Sequence, residues 1–426
     1  MKDLDAELVR LLAARLELTD RIGSEKKELG LPVYAPETEM AVVGRARELA
    51  AELGISQAMV ETILRAAMAG ARLRQDSCGS AVTDPGQDRA NIAFSRYMPP
   101  PMEFRGAVPL SSAASETVEA ARCDIRDTLD GGAERVIIIM GPCSIHDPAA
   151  ALEYAERMRI LSKKVGDSFL LVMRAYVEKS RSGGGWTGFL TDPRLDGSGD
   201  VQEGITMTRK LLNRLGELGV PAAVEFINPI ASAYIGDMVS WAAIGARSAG
   251  SQIHRDMVSG LAMPVGFKNG LDGSVDSANG AVESAARGHD YLGLDDAGNI
   301  SAFKTRGNPY CHVVLRGGER PNYHEDDVKA AQKALASAGM RPKLMVDCSH
   351  GNSGKIAANQ IDVFRNVVSQ IAAGNSDIIG LMLESHLNHG RQEPGSGMKR
   401  GVSITDECLG WDDTEKLVIE AHGKLA

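Results

Sequence analysis

The sequence predicts an α/β protein in which a (β/α)8 TIM barrel follows a small all-α three-helix domain. From residue 134 onward, short apolar runs rich in β-branched residues alternate with helical stretches. Eight such runs can be counted before the carboxyl terminus, which matches the eight strand–helix units of the barrel. A Gly/Ser/Pro/Asp-rich linker at 77–95 separates these units from the helical segment at 1–76 and indicates a domain boundary.

Three helices are predicted in the first domain. The first spans 2–29, where leucines recur at helical spacing, and it ends before Gly30. The second spans 37–53, and the third spans 56–76 with Ser56 as its N-cap. The first helix is too long for the other two to cover, so we expect it to pair with another chain.

The second domain, 96–426, begins with a Pro-rich entry and a helix at 115–130. The predicted strands lie near 134–140, 169–176, 222–228, 241–246, 264–268, 311–316, 343–348 and 378–384. The longer connection at 270–310 is expected to hold a helix, Ser277 to Arg287, and a hairpin around Asp295 to Gly298. A doubly wound sheet would require a glycine fingerprint after the first strand. The sequence Gly141-Pro-Cys-Ser does not supply one, which favours the barrel.

Composition narrows the class of protein. Hydrophobic content of 43% and charged content of 24% are ordinary for a globular protein of 426 residues. The net charge of −9 argues against a nucleic-acid partner, and no apolar run is long enough to span a membrane. The six cysteines are dispersed without a CxxC pair, which favours a reduced, cytoplasmic protein.

The predicted strands end in polar side chains with metal-binding chemistry. In a parallel barrel the carboxyl ends of the strands form one face, where the active site lies. The potential ligands at these ends are Cys143, His350, Glu384 and Asp406, a mixed set that suits Mn²⁺, Fe²⁺, Co²⁺ or Zn²⁺. On spacing alone, His146, His386 and His389 compete with them. Cys143 taken alone is more typical of a small buried core residue than of a ligand.

Cations form a second set at the strand ends. They are Arg174, Lys179, Arg181, Arg247, Lys268 and Arg316. Because Lys and Arg are rarely buried without a partner, several of them at one barrel mouth indicate a polyanionic ligand. Salt bridges to helix carboxylates would explain any one of these residues but not all six.

Several motifs together resemble the type I alpha subgroup of 3-deoxy-D-arabino-heptulosonate 7-phosphate (DAHP) synthases. The motifs are Gly141-Pro-Cys-Ser-Ile-His-Asp-Pro148, Gly245-Ala-Arg247, Ser251-Gln-Ile-His-Arg255, Pro264-Val-Gly-Phe-Lys-Asn-Gly270, Leu315-Arg-Gly-Gly318, Asp347-Cys-Ser-His350, Glu384-Ser-His386 and Ser403-Ile-Thr-Asp-Glu-Cys-Leu-Gly-Trp411. They cover about 97–420 in the order of the family. The family condenses phosphoenolpyruvate with erythrose 4-phosphate, using one divalent metal ion, in the first step of the shikimate pathway.

The resemblance also implies roles for individual residues. The metal ligands would be Cys143, His350, Glu384 and Asp406, and Lys179 or His350 would handle protons. Arg181 and Ser182 would hold the phosphate of the aldehyde. The residues that would hold phosphoenolpyruvate are Arg174, Lys179, Arg247, Lys268 and Arg316.

Departures from the family pattern bear on the identity of the aldehyde substrate more than on the type of reaction. Where the family usually has Lys-Pro-Arg-Thr, this chain has Lys179-Ser-Arg-Ser182, and three glycines at 183–185 add backbone freedom. A related synthase of specialised metabolism that uses a different phosphorylated aldehyde is therefore an alternative. A catalytically silent barrel that only binds or regulates is another, and the complete ligand set argues against it.

Residues 1–76 resemble the all-helical chorismate mutases, which are dimers that share a long first helix. The match places Arg15 and Lys26 where the carboxylates of chorismate are held, and Glu39 and Gln75 also match pocket positions. Ala35, Thr38 and Ala71 replace polar or charged pocket residues. The domain is therefore expected to be degenerate, and to regulate the barrel through chorismate or prephenate. The alternatives are a bifunctional enzyme and a simple dimerisation arm, and we expect a homodimer or homotetramer.

Overall fold

The computed structural model divides the chain into two compact units, Met1–Met98 and Pro99–Ala426, which are described separately below. The residues that the structure describes are 2–29, 36–57, 59–61, 63–64, 67–68, 71, 97–132, 135–181 and 183–425. Among these residues, no helix has the length and apolar character needed to cross a membrane.

The first unit is helical, as predicted. Helix α1 spans Lys2–Glu28 and α2 spans Pro36–Glu52, and the described residues between 59 and 71 are also helical. The Ser56 hydroxyl accepts a hydrogen bond from the backbone N–H of Met59 at 3.3 Å, which confirms the predicted N-cap. The leucines that recur at helical spacing along α1 are largely exposed within this chain, including Leu4, Leu8, Leu11 and Leu18.

The second unit is a closed eight-stranded parallel barrel, which confirms the predicted fold class. Around the barrel the strand order is β1-β10-β9-β8-β5-β4-β3-β2. The barrel strands are β1 (Val136–Gly141), β2 (Phe169–Arg174), β3 (Ala222–Glu225), β4 (Trp241–Ile244), β5 (Val265–Lys268), β8 (Cys311–Leu315), β9 (Leu344–Asp347) and β10 (Ile378–Glu384). Two further strands, β6 (Asp290–Leu294) and β7 (Ile300–Lys304), form the predicted antiparallel hairpin outside the barrel.

Helices follow most of the strands and cover the outside of the barrel. Two precede the first strand, and the helix expected near Ser277 to Arg287 is present as Asp276–Ala285. The helices of this unit are α3 (Pro101–Ala107), α4 (Ser112–Asp130), α5 (Pro148–Val165), α6 (Val201–Glu217), α7 (Ala231–Ile235), α8 (Gln252–Ser259), α9 (Asp276–Ala285), α10 (Glu325–Ser337), α11 (Asn359–Ala372) and α12 (Trp411–Leu425).

The barrel interior is packed with side chains and does not form a channel. Its buried cluster includes Ile137 and Ile139 from β1, Val172 from β2, Val314 from β8 and Met345 from β9. Because apolar side chains fill this space, a polar ligand has room only beyond the strand ends.

A buried ion pair ties the outer helices together. Arg209 on α6 is fully buried, and its guanidinium contacts both carboxylate oxygens of Asp237 at 2.7 and 2.9 Å. The same guanidinium donates to the backbone carbonyls of Val108 and Tyr234. Because Asp237 is 24% exposed, removing Arg209 leaves a partly buried carboxylate and two backbone carbonyls without their donor.

We therefore predict that Arg209→Leu lowers the free energy of unfolding by about 3–5 kcal/mol. Urea denaturation followed by circular dichroism would measure this loss. The matched control is Arg214→Leu on the same helix, because Arg214 forms a largely exposed ion pair with Glu217. This substitution should lower the free energy of unfolding by less than about 1 kcal/mol. Equal losses in the two variants would contradict the assigned role of the buried pair.

Candidate active site

Three metal-binding side chains meet at the carboxyl ends of β1 and β10. One donor atom from each of Cys143, Glu384 and Asp406 lies within 4.8 Å of the other two. Cys143 follows β1 by two residues, and Glu384 is the last residue of β10, directly opposite Gly141 in the parallel register. The strands themselves therefore place the thiol and the first carboxylate side by side.

Asp406 reaches the same point through a long loop that folds back over the end of the barrel. Within this loop Ser385 pairs with Leu409, and Gly390 pairs with Cys408. The Leu409 N–H donates to the carbonyl of Glu384 at 3.0 Å. These backbone contacts bring the loop beside β10, so that the Asp406 carboxylate lies 3.5 Å from the Cys143 sulfur.

His350 lies beside this three-residue cluster and faces it with one ring nitrogen. Its Nε2 is 3.7 Å from Oε1 of Glu384, while its Nδ1 is 2.9 Å from the Asp347 carboxylate. The backbone of His350 is left-handed, with φ of 57°, a conformation that costs a non-glycine residue on the order of 1–3 kcal/mol. The four predicted ligands therefore lie close together. The His350 ring faces the cluster with Nε2 and contacts Asp347 with Nδ1.

Sequence reasoning did not single out Asp347 as a site residue, although it occupies a central position. One oxygen of its fully buried carboxylate, Oδ2, contacts both the Lys268 ammonium and Nδ1 of His350, each at 2.9 Å. Against the opposing effect of burial, these two neighbours hold the pKa of the Asp347 carboxyl well below its usual value. The available signal was its place at the end of an apolar strand, the same pattern that identified the cations.

Lys179 links the cluster to the cationic set. Its ammonium lies 2.8 Å from the sulfur of Cys143 and 3.1 Å from Asp406. Burial raises the pKa of the Cys143 thiol to about 11, with Glu384 adding to the effect. The pKa of Asp406 is instead well below its usual value, because Lys179 and His350 outweigh burial there.

Arg174 is the most enclosed of the predicted cations. It is 1% exposed, and its guanidinium donates to Glu384 at 2.9 Å and to the carbonyl of Pro142. Burial alone would lower the pKa of Arg174, but the charge of Glu384 reverses this and raises it. The absence of a side chain at Gly141 lets the backbone of Arg174 pack closely against β1, since a Cβ at that position would lie 2.7 Å from the Arg174 carbonyl oxygen.

Arg316 is positioned by a network of asparagines at the ends of β5, β8 and β9. The Asn269 side-chain oxygen accepts from the Arg316 N–H at 2.7 Å, and its amide donates to the Gly317 carbonyl. Asn352 donates to the carbonyls of Leu315 and Asp347. Burial lowers the pKa of Arg316, and the nearby charge of Arg247, itself exposed, acts in the same direction.

The loop after β2 carries the residues expected at the aldehyde phosphate. Arg181 is exposed, and its Nε donates to the carbonyl of Trp186 at 3.1 Å. The Lys179 N–H donates to the Thr187 carbonyl at 2.9 Å and closes the base of the loop. Ser182 lies outside the described residues.

The competing histidines are directed elsewhere. His146 and His386 form an edge-to-face pair with ring centroids 5.9 Å apart, and His386 Nδ1 accepts from the Leu387 N–H. His389 lies 3.6 Å from Glu407. None of the three belongs to the donor cluster found among the described residues.

Of the four positions proposed for a pocket in the helical unit, two can be described. Arg15 donates to the Ala67 carbonyl at 3.2 Å, and Lys26 is half-buried. The side chain of Glu39 and the whole of Gln75 lie outside the described residues.

The donor set at the barrel mouth has the chemistry of a borderline divalent metal site. A thiol, an imidazole and two carboxylates match the ligands preferred by Mn²⁺, Fe²⁺, Co²⁺ and Zn²⁺. The enclosed cations beside it match the phosphate and carboxylate groups of a small polyanion. The mouth can therefore hold a metal ion and an anionic substrate next to each other.

Comparison with known families gives two matches to this chain. Residues 111–418 match the model of the DAHP synthetase I family, and residues 1–76 match that of chorismate mutase type II. The chain is 46% identical over 342 residues to the Tyr-sensitive phospho-2-dehydro-3-deoxyheptonate aldolase of Salmonella typhimurium, covering 80% of this chain and 96% of the relative.

Two further similarities agree with these matches. The Phe-sensitive phospho-2-dehydro-3-deoxyheptonate aldolase of Escherichia coli K12 is 43% identical over 333 residues, 78% of this chain and 95% of the relative. A solved structure of phospho-2-dehydro-3-deoxyheptonate aldolase from Francisella tularensis SCHU S4 superposes with a TM-score of 0.77 at 38% identity. It covers 79% of this chain and 98% of its own.

Asp347 lies 2.9 Å from Nδ1 of His350 and also accepts from the Ser349 hydroxyl, which is 2.7 Å from the same nitrogen. Because these contacts orient the His350 ring, we predict that Asp347→Asn weakens divalent-metal binding by about 10–100-fold. Titration of metal-stripped protein with Zn²⁺ against a competing chelator would measure this. Asp377→Asn is the matched control, since Asp377 precedes β10 at the opposite end of the barrel and pairs with Lys343. Unchanged affinity in Asp347→Asn would contradict the orienting role.

Proposed function

We propose that this chain, which belongs to the DAHP synthetase I family and is a DAHP synthase, condenses phosphoenolpyruvate with erythrose 4-phosphate to DAHP and phosphate, and that the barrel mouth is its active site. The observation that carries this assignment is the donor cluster of Cys143, Glu384 and Asp406, with Lys179 against two of its members. The reaction is the first step of the shikimate pathway, which leads to the aromatic amino acids.

Four residues would hold one divalent metal ion: Cys143, His350, Glu384 and Asp406. Their thiolate, imidazole and carboxylate donors fit a borderline ion, so Mn²⁺, Fe²⁺, Co²⁺ and Zn²⁺ all remain candidates. When bound, such an ion supplies Lewis acidity toward the carbonyl oxygen of the aldehyde.

Phosphoenolpyruvate would be bound by five cations: Arg174, Lys179, Arg247, Lys268 and Arg316. Its phosphate and carboxylate need several positive charges, and guanidinium groups can contact such groups through two parallel hydrogen bonds. Three of these cations, Arg174, Lys268 and Arg316, are at least 93% buried, so water screens their charges weakly. Binding in this pocket would orient carbon 3 of the enol toward the aldehyde.

The phosphate of the aldehyde would be held by Arg181 and Ser182, in the loop that follows β2. Arg181 is exposed on a loop whose base is closed by the Lys179–Thr187 backbone contact. The triple glycine at 183–185 and the serine at 180 distinguish this loop from the usual family pattern. A related synthase with a different phosphorylated aldehyde is therefore the second candidate.

Lys179 and His350 would manage the protons of the reaction. Although burial opposes it, the neighbouring Cys143, Glu384 and Asp406 raise the pKa of Lys179, so it stays an ammonium at neutral pH. Attack by carbon 3 places negative charge on the aldehyde oxygen, and Lys179 is the charged donor beside the cluster. Water then adds to carbon 2 of the former enol, and phosphate leaves.

The chorismate mutase domain would regulate or assemble the enzyme. We propose a division into this domain at 1–76, a linker at 77–95 and the barrel domain at 96–426. The relatives named above carry Tyr- or Phe-sensitivity in their names, and one fifth of this chain lies beyond their alignment. Chorismate or prephenate would be the effector, bound by Arg15, Lys26, Glu39 and Gln75, in a homodimer or homotetramer.

The cytoplasm is the compartment we propose for the reaction. Five cysteines in the described part of the chain are free, as a reducing environment would keep them. One of them, Cys143, must stay reduced to act as a ligand.

Cys143→Ala should lower metal-dependent turnover by more than about a hundredfold while the fold is retained, since the variant loses a ligand. The assay is phosphate release from phosphoenolpyruvate with erythrose 4-phosphate, before and after chelation. Because the pKa of the Cys143 thiol is raised to about 11, metal uptake at neutral pH releases a proton. Metal affinity should therefore rise with pH, by about tenfold per unit between pH 6 and 8.

Cys311→Ala is the control for this experiment, because Cys311 begins β8 at the opposite end of the barrel. Full activity of Cys143→Ala would remove this residue from the site. The same assay with a panel of phosphorylated aldehydes tests the substrate. No preference for erythrose 4-phosphate would favour the second candidate.

For the helical domain we predict weak or absent chorismate mutase turnover but an effect of chorismate or prephenate on the barrel. The lost pocket charges at Ala35 and Thr38 explain the first expectation, since rearrangement of a dianion depends on electrostatic stabilisation. Chorismate consumption and DAHP formation would be measured on the full chain. Rapid mutase turnover would indicate a bifunctional enzyme, and no effect of either ligand would leave only a role in assembly.

A further inference from the structure

Tyr176 lies at the boundary between the packed interior of the barrel and its polar mouth. It follows the end of β2 by two residues, so it shares a side of the extended chain with Arg174. Its ring is fully buried and belongs to the same cluster as Trp241, Val314 and Met345. The ring therefore forms the floor of the site described above.

Two of the proposed phosphoenolpyruvate-binding cations rest on this floor. The guanidinium carbon of Arg174 lies 3.7 Å from the centroid of the Tyr176 ring, and the Lys268 ammonium lies 5.8 Å from it. Each cation also pairs with a buried carboxylate, Arg174 with Glu384 and Lys268 with Asp347. The aromatic face thus supports both cations electrostatically while the carboxylates hold them from their edges.

Two buried donors at this place have no partner among the described residues. They are the phenol oxygen of Tyr176 and Nη1 of Arg174. A guanidinium can only donate hydrogen bonds. The phenol also donates, because burial raises its pKa well above the usual value and keeps it protonated. Both donors are available to an acceptor atom, such as an oxygen of an anion.

We propose that Tyr176 is a substrate-binding residue. Its phenol donates a hydrogen bond to an oxygen of phosphoenolpyruvate, beside Nη1 of Arg174. This inference rests on the proposed function, in which Arg174 binds phosphoenolpyruvate. Packing alone does not account for the hydroxyl. A phenylalanine would fill the same space and support the same cations without burying an unpaired polar atom, which destabilises a fold.

The test is Tyr176→Phe, which removes the hydroxyl and keeps the ring. We expect kcat/KM for phosphoenolpyruvate to fall about tenfold or more, since a hydrogen bond to a charged group is lost. The KM for the aldehyde should change by less than about twofold, and the melting temperature should stay the same or rise. Calorimetric titration with phosphoenolpyruvate alone, on metal-loaded protein, should show the same loss of affinity.

Two further variants separate the possible outcomes. Ser240→Ala removes another buried, unpartnered hydroxyl just before β4, at the opposite end of the barrel, and should leave the kinetics unchanged. Arg174→Lys tests the proposed function on which the inference rests. If Arg174→Lys weakens phosphoenolpyruvate binding but Tyr176→Phe does not, only the role of Tyr176 is overturned.

If neither variant affects phosphoenolpyruvate, the assignment of the pocket itself fails. A purely structural role for Tyr176 would appear as a lower melting temperature with equal losses toward both substrates. That result would also overturn the inference.

Discussion

The site depends on the pairing of charges that the barrel buries at its carboxyl end. Arg174 with Glu384 and Lys268 with Asp347 are both almost completely enclosed. Burying such charges is costly, and replacing a buried pair by apolar residues is often neutral or stabilising. Their presence is explained by function, since fixed charges that need not reorganise stabilise a charged reaction better than mobile water does.

These pairs also connect the donor cluster with the cations proposed to bind the anionic substrate. Glu384 belongs to the donor cluster and contacts Arg174, while Asp347 contacts both Lys268 and His350. In the proposed site, a carboxylate that orients a metal ligand and a cation at once would fix the relative positions of metal and anion. The carboxylates that make this connection, Glu384 and Asp347, both lie at rigid strand ends.

Two departures from ideal backbone geometry lie at the same place. His350 is one of three non-glycine residues with positive φ in the described chain. Gly141 leaves room for Arg174 that a side chain would fill. A strained backbone such as that of His350, and a glycine such as Gly141 where the packing is tight, persist where the surrounding structure holds them in place. Here the closed barrel does so.

The amino-acid sequence alone predicted the class of fold, the eight strands and the strand-end positions of three candidate ligands, Cys143, His350 and Glu384; three other histidines competed on spacing, and the family resemblance was what selected the set that includes Asp406. It could do so because buried parallel strands are recognisable as apolar runs, and because the residue that follows each run must lie at one face of the barrel. The tertiary structure alone decided which side chains contact each other. The loop that brings Asp406 back to Cys143, the central carboxylate of Asp347 and the unpartnered phenol of Tyr176 depend on registers and distances between distant segments. Such distances arise only when the barrel closes, so no spacing along the chain encodes them.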